Sequence, residues 1–410
     1  MNKTIAALIT SESAQSFQQR MMYLVMTWYF INIVDSPAVL GTLLAFTYAP
    51  AIIVPMLAGM AVDRFNKAAL GLSATVWDFF AVFGLFILFL LEVPASGIGF
   101  WLYVIMLVFM GITGGILDPL ERTLIPTLVE PKKLKEVNSL LSALKNLAGL
   151  FGPVVAGALL ALSGYHVAFI AVLVVALIPI CCYLFLVLRV RLPRTKVESR
   201  GVVGSFKKTF SHFRTERWLL IAAATAMFTN MAFVMMTAVT LPYLYADLKI
   251  NGAAALGTCM MVLGIGNLLG TALTYRWKRL NLDRAMVLFF ASMFVMVAAG
   301  FFIEPVIVGI TLFGIMGFLS SPMTIIYMTE LQQAIPKHML GSAMGMLGSA
   351  AMMAQPLGPL LAGVLLLTFH GSIVMTFAAT ISLTAAVIGW VFLKREQARK
   401  RQQEVVSEQA

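Results

Sequence analysis

The chain has 410 residues, of which 60% are hydrophobic and only 11% charged. Soluble globular chains carry about 25% charged and roughly 45–50% apolar residues, so this chain cannot cover a folded surface with charge. Its exterior must face lipid. That excludes a soluble enzyme, a nucleic-acid-binding domain and a disordered protein, and leaves the net charge of +11 as a question of where the basic residues fall.

A bilayer crossing takes about 20 mostly apolar residues as a helix. In chain order, that length predicts spans at 4–33, 38–58, 68–91, 100–128, 139–162 and 167–188. A second set follows at 218–243, 255–275, 285–303, 306–329, 341–367 and 372–393. Segments so long and uniformly apolar are helices, because barrel strands are shorter and alternate. With the N-terminus on the cytoplasmic side, 25 of the 29 basic residues fall in cytoplasmic loops and ends. Only Lys249 falls on the far side, and Arg20, Arg122 and Lys145 lie within spans. Basic residues flank the cytoplasmic ends of spans in membrane proteins, so the positive surplus is an orientation signal and leaves no nucleic-acid partner to explain.

The longest polar connection, 189–217, carries nine basic residues and reads as a linker. It separates a first bundle at 1–188 from a second at 218–393, and 394–410 is a cytoplasmic tail. An internal repeat supports two related halves. Residues 148–157 read Ala-Gly-Leu-Phe-Gly-Pro-Val-Val-Ala-Gly and residues 354–363 read Ala-Gln-Pro-Leu-Gly-Pro-Leu-Leu-Ala-Gly. Pseudo-symmetric bundles that rock about a central site are a transporter architecture. The expected fold is an all-α polytopic membrane protein, with twelve transmembrane helices in two pseudo-symmetric six-helix bundles.

Two motifs carry a family resemblance. Residues 59–67, Gly-Met-Ala-Val-Asp-Arg-Phe-Asn-Lys, lie in the predicted second-to-third loop. They resemble the cytoplasmic loop signature of the major facilitator superfamily, with Asn66 where the second Gly of a left-handed turn usually stands. The resemblance implies a cytoplasmic gate at Gly59, Asp63, Arg64 and Lys67, closing against the helix that starts near Gly341. The repeated Gly-Pro motif, Gly152, Pro153 and Gly157 with its copy Gly358, Pro359 and Gly363, resembles the fifth-helix signature of drug and metabolite antiporters. Small residues let helices approach closely in lipid, and an internal proline removes a donor and bends the helix. Asp118-Pro119 with Arg122, and Lys145-Asn146, look like the macrolide-efflux and siderophore-export branch of the superfamily. The branch's third-helix acid and arginine align near Thr75 and Asp78, and so are absent or changed.

Ionisable groups inside the membrane are costly, about 2.5–3.5 kcal/mol each on insertion scales, and mark function. In the first span Glu12, Gln15, Ser16, Gln19 and Arg20 recur at helical spacing and form one stripe. In the fourth span Gly111, Gly114, Gly115, Asp118 and Arg122 form another, with Glu121 alongside. Asp118 and Arg122 can pair at i, i+4. By depth, Glu12 and Arg122 match best between the two helices. In the superfamily these two helices line the cavity, which implies that the stripes meet there. Glu12, Asp118, Glu121, Arg20 and Arg122 are therefore the proton-coupling candidates, and a permanent structural salt bridge is the alternative. Asp78 is a weaker candidate, on a helix that is peripheral in the family. The second half holds 18 of the 26 methionines. Met227, Met231 and Met235 share a helix face near Asn230, which suits either ordinary packing or a pliable apolar pocket. Gln15, Gln19, Met227, Asn230, Met231, Met235, Ser321, Thr324 and Gln355 are the substrate-binding candidates.

The expected function is a secondary active transporter that exports small amphipathic, drug- or macrolide-like molecules by proton antiport. The alternatives are a dedicated exporter of an endogenous metabolite such as a siderophore, and an uptake permease. No Gly-x4-Gly-Lys-Ser/Thr nucleotide loop and no His-Glu-x-x-His motif occurs, so no enzyme, metal or cofactor is expected. The proton gradient is the energy source. The expected partners are the substrate and the bilayer, with the chain a monomer. The expected location is the bacterial cytoplasmic (inner) membrane, with both termini cytoplasmic.

Overall fold

A computed structural model describes residues 3–34, 36–55, 58, 65–130, 133–189, 217–248, 252–277, 280–335 and 340–409. Every described regular element is helical. Lipid gives backbone groups no hydrogen-bond partners, so each span must satisfy its own. The elements are α1 (Lys3–Ile33), α2 (Pro37–Tyr48) with a 3-10 turn (Ala49–Ile52), α3 (Lys67–Leu90), α4 (Gly97–Leu128) and α5 (Leu134–Arg189). Next come α6 (Arg217–Met235), a π-helical turn (Met236–Thr240), α7 (Leu241–Ala246), α8 (Gly252–Arg276) and α9 (Leu282–Phe301). The last are α10 (Val306–Ala334), α11 (Leu340–Met353), α12 (Leu357–Leu365) and α13 (Gly371–Gln409).

Among the described residues, nine helices are long and apolar enough to cross a membrane. One of them, Glu136–Arg189, has 54 residues. At 1.5 Å per residue it is about 80 Å long, against a hydrocarbon core of about 30 Å. Gly164, at φ 76° and ψ −174°, breaks it, as only glycine readily does. The break lies between the expected spans 139–162 and 167–188. Of the other expected crossings, α1 is 31 residues long and carries the polar stripe, while Pro37–Ile52 is shorter than a full span. The expected span 341–367 is interrupted between α11 and α12. The expected linker 189–217 lies outside the described residues except at its two ends.

Two compact units form. The first comprises Met1–Val197, Ala238–Met261 and Pro359–Thr368, and the second Glu198–Thr237, Val262–Gly358 and Phe369–Ala410. In the first, α1 lies along α5, and α3 packs on both α4 and α5. Leu8, Leu120, Leu124 and Tyr183 are buried where these helices meet. In the second, α9 packs on α10, and α13 on α6 and α9. Lipid tails are as apolar as leucine, so close packing rather than water exclusion holds such helices together. Accordingly α8 and α10 touch through backbone. A methyl group at Gly266 would sit 2.0 Å from the Gly314 carbonyl oxygen, and one at Gly317 would sit 2.4 Å from that of Leu263.

Candidate functional site

The buried face of α1 carries Leu8, Ser11, Glu12, Gln15, Gln18, Met22 and Val25. Ser11 and Gln18 thus take places on the polar stripe, whereas Ser16 and Gln19 are only half-buried and Arg20 is exposed. The face meets α3, α4 and α5, and its polar groups are answered there in two layers.

The first layer is ionic. Glu12 keeps 5% side-chain exposure and lies 3.7 Å from Lys145 Nζ on α5. Lys145 also pairs tightly with Glu121 on α4. The Tyr183 hydroxyl, from the second limb of α5, donates to Glu12 Oε1 at 2.8 Å. Room for that ring exists because α3 has glycine at 71. A methyl group there would lie 2.2 Å from the Tyr183 ring. Two carboxylates therefore share one ammonium, and a phenol binds one of them.

The second layer is neutral apart from one acid. Asp78 on α3 is buried at 2% exposure. It accepts from Thr113 Oγ1 at 2.9 Å and from Gln15 Nε2 at 3.2 Å. Gln15 in turn reaches Gln18 Oε1 at 3.4 Å. No cation is among these partners.

The structure thus joins Glu12 and Glu121 of the proton-coupling candidates. The cation between them is Lys145, which the sequence reading left without a role. Arg20, expected beside an acid, instead packs its Cβ close to Gly152. Asp118 is exposed, and the side chain of Arg122 lies outside the described ones. Gly111 and Gly115 serve close approach to the end of α2. Methyl groups there would lie 2.5 Å from the Thr47 carbonyl oxygen and 2.8 Å from Val54.

Gly59, Asp63 and Arg64 of the expected gate lie outside the described residues. Lys67 is described, and its Nζ donates to Thr127 Oγ1 at 3.3 Å. Asn66 does not form the expected left-handed turn. It caps α3 at φ −64° and ψ 115°, its side-chain oxygen accepting from the amides of Ala68 and Ala69. An N-cap takes extended backbone to reach those orphan donors, and that need sets its conformation.

The Gly-Pro motifs pack backbone against backbone. A methyl group at Gly257 on α8 would sit 2.4 Å from the Pro153 carbonyl oxygen, and one at Gly157 2.5 Å from that of Ala253. The second copy repeats the arrangement with α2. A methyl group at Gly41 would lie 2.2 Å from the Pro359 carbonyl oxygen, and one at Gly363 2.4 Å from that of Pro37. Gly358 faces the backbone of Met231 and Met235. Of the methionine face, Met231 and Met235 are packed there, at 4% and 0% exposed.

The second unit contains a cavity of about 430 Å³ between α6, α8, α9, α10 and α13. Asn230, Ser321 and Thr324 line it, as do Met236, Asn267 and Tyr327. Met227, Met231, Met235 and Gln355 are not among its lining residues. Gln355 sits in the turn between α11 and α12, and Gln19 approaches Gly114. Met236 reaches the cavity from the π-helical turn, which shifts the helical register by one residue. Such turns cluster at functional sites.

The sequence model of the Major Facilitator Superfamily matches residues 8–351. The multidrug efflux pump Tap of Mycolicibacterium fortuitum is 26% identical over 328 residues, 77% of each chain. Among solved structures, the nucleoside transporter NupG superposes with a TM-score of 0.70 at 13% identity, covering 96% of this chain and 99% of that one. The D-xylose–proton symporter superposes with a TM-score of 0.68 at 17% identity, covering 95% and 96%. Likeness at these identities concerns the fold.

Proposed function

The chain belongs to the major facilitator superfamily and is a multi-pass membrane transporter, and from that premise we propose that it exports small amphipathic molecules by proton antiport. The observation that carries the coupling is the group Glu12, Glu121, Lys145 and Tyr183. Among the described side chains, two carboxylates and one ammonium leave one net negative charge inside a bundle, and an uncompensated buried charge is costly. One proton shared by the two acids neutralises the group. Its loss restores the charge and tightens the hold of Lys145 across α1, α4 and α5. A group that binds three helices differently in its two protonation states can bias the inward–outward equilibrium. Efflux as the direction is supported by the Gly-Pro repeat and by the likeness to a protein named a multidrug efflux pump. The proposed setting is a bacterial inner membrane, with both termini cytoplasmic and the chain acting as a monomer without a cofactor.

Everted vesicles with an imposed proton gradient test this, using labelled macrolide, cationic dye and siderophore as the panel. Accumulation of one or more of these is expected in the wild type. Glu12→Gln and Glu121→Gln are expected to lose at least tenfold of the gradient-driven rate while retaining substrate exchange without a gradient. Full gradient-driven transport in Glu12→Gln, Glu121→Gln and Asp118→Asn alike would sink the proton mechanism.

A further inference from the structure

The cavity in the second unit has a chemistry that selects a ligand. At about 430 Å³ it falls within the roughly 300–1,000 Å³ of small-molecule sites. No charged side chain is among its described lining residues. Six methionines are: Met236, Met293, Met296, Met316, Met323 and Met328. Their unbranched, polarizable side chains adapt to varied apolar shapes. Phe233 and Met328 are exposed, so the cavity is not sealed.

The polar groups are arranged one way. Thr229 Oγ1 donates to the Thr225 carbonyl at 2.8 Å, and Ser320 Oγ to that of Gly317 at 3.1 Å. Asn230 Nδ2 donates to the carbonyl of Ala226 at 2.8 Å, which leaves its Oδ1 as the open end. The hydroxyls of Thr229, Ser320 and Ser321 and one hydrogen of Asn230 are spent on backbone carbonyls, and their acceptor oxygens remain for a ligand. Tyr327 differs. It is 8% exposed, and its hydroxyl is buried without a hydrogen-bond partner among the described residues. A buried hydroxyl left unpaired costs about 1–3 kcal/mol, and a ligand acceptor relieves that cost.

We infer that this cavity binds an uncharged apolar molecule bearing hydroxyl groups, and that Tyr327 is its specificity-determining residue. A hydroxyl supplies both what the cavity's oxygens lack and what Tyr327 lacks. A permanent cation has no counter-charge there, and desolvating it without one is expensive. This inference rests on the reading of the chain as a transporter of small amphiphiles. It concerns binding, however, and stands apart from the ionic group in the first unit.

The test is equilibrium binding to the purified full-length transporter with no proton gradient. The probes are chloramphenicol, a neutral diol, and tetraphenylphosphonium, a permanent cation without hydroxyls. Saturable chloramphenicol binding is expected, about tenfold weaker in Tyr327→Phe. It should be lost in Ser320→Phe, which fills the cavity, and be unchanged in Gly149→Ala, at a site with nothing within 4 Å. Tetraphenylphosphonium should bind weakly or not at all, with no response to either cavity substitution. Tyr327→Phe keeps the ring, so its effect reads the hydroxyl rather than folding. Absent chloramphenicol binding, equal affinity in wild type and both cavity variants, or a cation displaced equally by Ser320→Phe would overturn the inference. Because both probes are read at equilibrium with no gradient, a loss in the cavity variants reports on this proposal and not on the proton mechanism.

Discussion

A lysine held between two buried acids behaves differently from a lysine at a membrane surface. Lys145 keeps 30% side-chain exposure while Glu12 and Glu121 keep 5% and 16%, so its removal strands two acids with less water than it had itself. Breaking a buried ion pair costs about 3–5 kcal/mol. Lys145→Ala is expected near the low end of that range, seen as a fall in the thermal unfolding midpoint in detergent together with lost gradient-driven transport. Tyr183→Phe removes one bond to a charged group, worth about 1.5–3 kcal/mol, and keeps the ion pair. It should move the pH profile of transport and leave the exchange rate without a gradient largely intact. An unmoved profile in Tyr183→Phe would remove the phenol from the coupling group. Asp78 separates structure from charge. Asp78→Asn keeps an acceptor for Thr113 or Gln15, whereas Asp78→Leu keeps none. The leucine variant should be the less stable by about 1–3 kcal/mol, read by the same unfolding midpoint.

At the scale of the element, glycine positions the helices. The four contacts made by Gly41, Gly157, Gly257 and Gly363 put a methyl group within 2.2–2.5 Å of a carbonyl oxygen. That distance forces helices apart, because backbone cannot yield as a side chain can. Overpacking of this kind costs about 1–3 kcal/mol. Gly41→Ala and Gly157→Ala should each lower the unfolding midpoint and the transport rate. Gly149→Ala, at a site with nothing within 4 Å, should change neither. A midpoint in Gly157→Ala equal to that of Gly149→Ala would show that the motif tolerates a wider spacing. At the other end of the chain, Asp283 at the start of α9 holds α13 through Lys394 at 2.6 Å and Trp390 Nε1 at 2.9 Å. The pair with Lys394 is about half exposed, so its worth is modest. Its effect is to fix the angle at which the last helix leaves the bundle.

For the whole molecule, the distribution of basic residues predicts which side each end occupies. A fluorescent protein fused after Ala410 should be bright, and a periplasm-dependent phosphatase at the same place should be inactive. An active phosphatase would invert the topology. The second unit joins 198–237, 262–358 and 369–410. Among the described residues the chain passes between the two units at four places: inside the π-helical turn, within α8, at Gly358-Pro359 and at Thr368-Phe369. Two of those passages carry an irregular backbone or a proline, where a helix bends with least loss of hydrogen bonds.

Composition and periodicity determined the class of this protein: a helical, multi-pass membrane chain with a repeated Gly-Pro motif. They do so because lipid imposes its demands on every residue of a span, so the signal accumulates along the chain. The same economy made Glu12 and Glu121 conspicuous. Partnership was not legible. Depth-matching pointed from Glu12 to Arg122, yet among the described side chains the cation beside Glu12 is Lys145 on another helix, because pairing depends on how helices rotate about their axes. That rotation is set by contacts such as Gly71 against Tyr183, two residues with no signal of their own. The methionine face was ambiguous for a related reason. A stripe at helical spacing marks a packed side as readily as a cavity wall, and only the π-helical turn at 236–240 and the packing of α6, α8, α9, α10 and α13 decide which methionines surround open space.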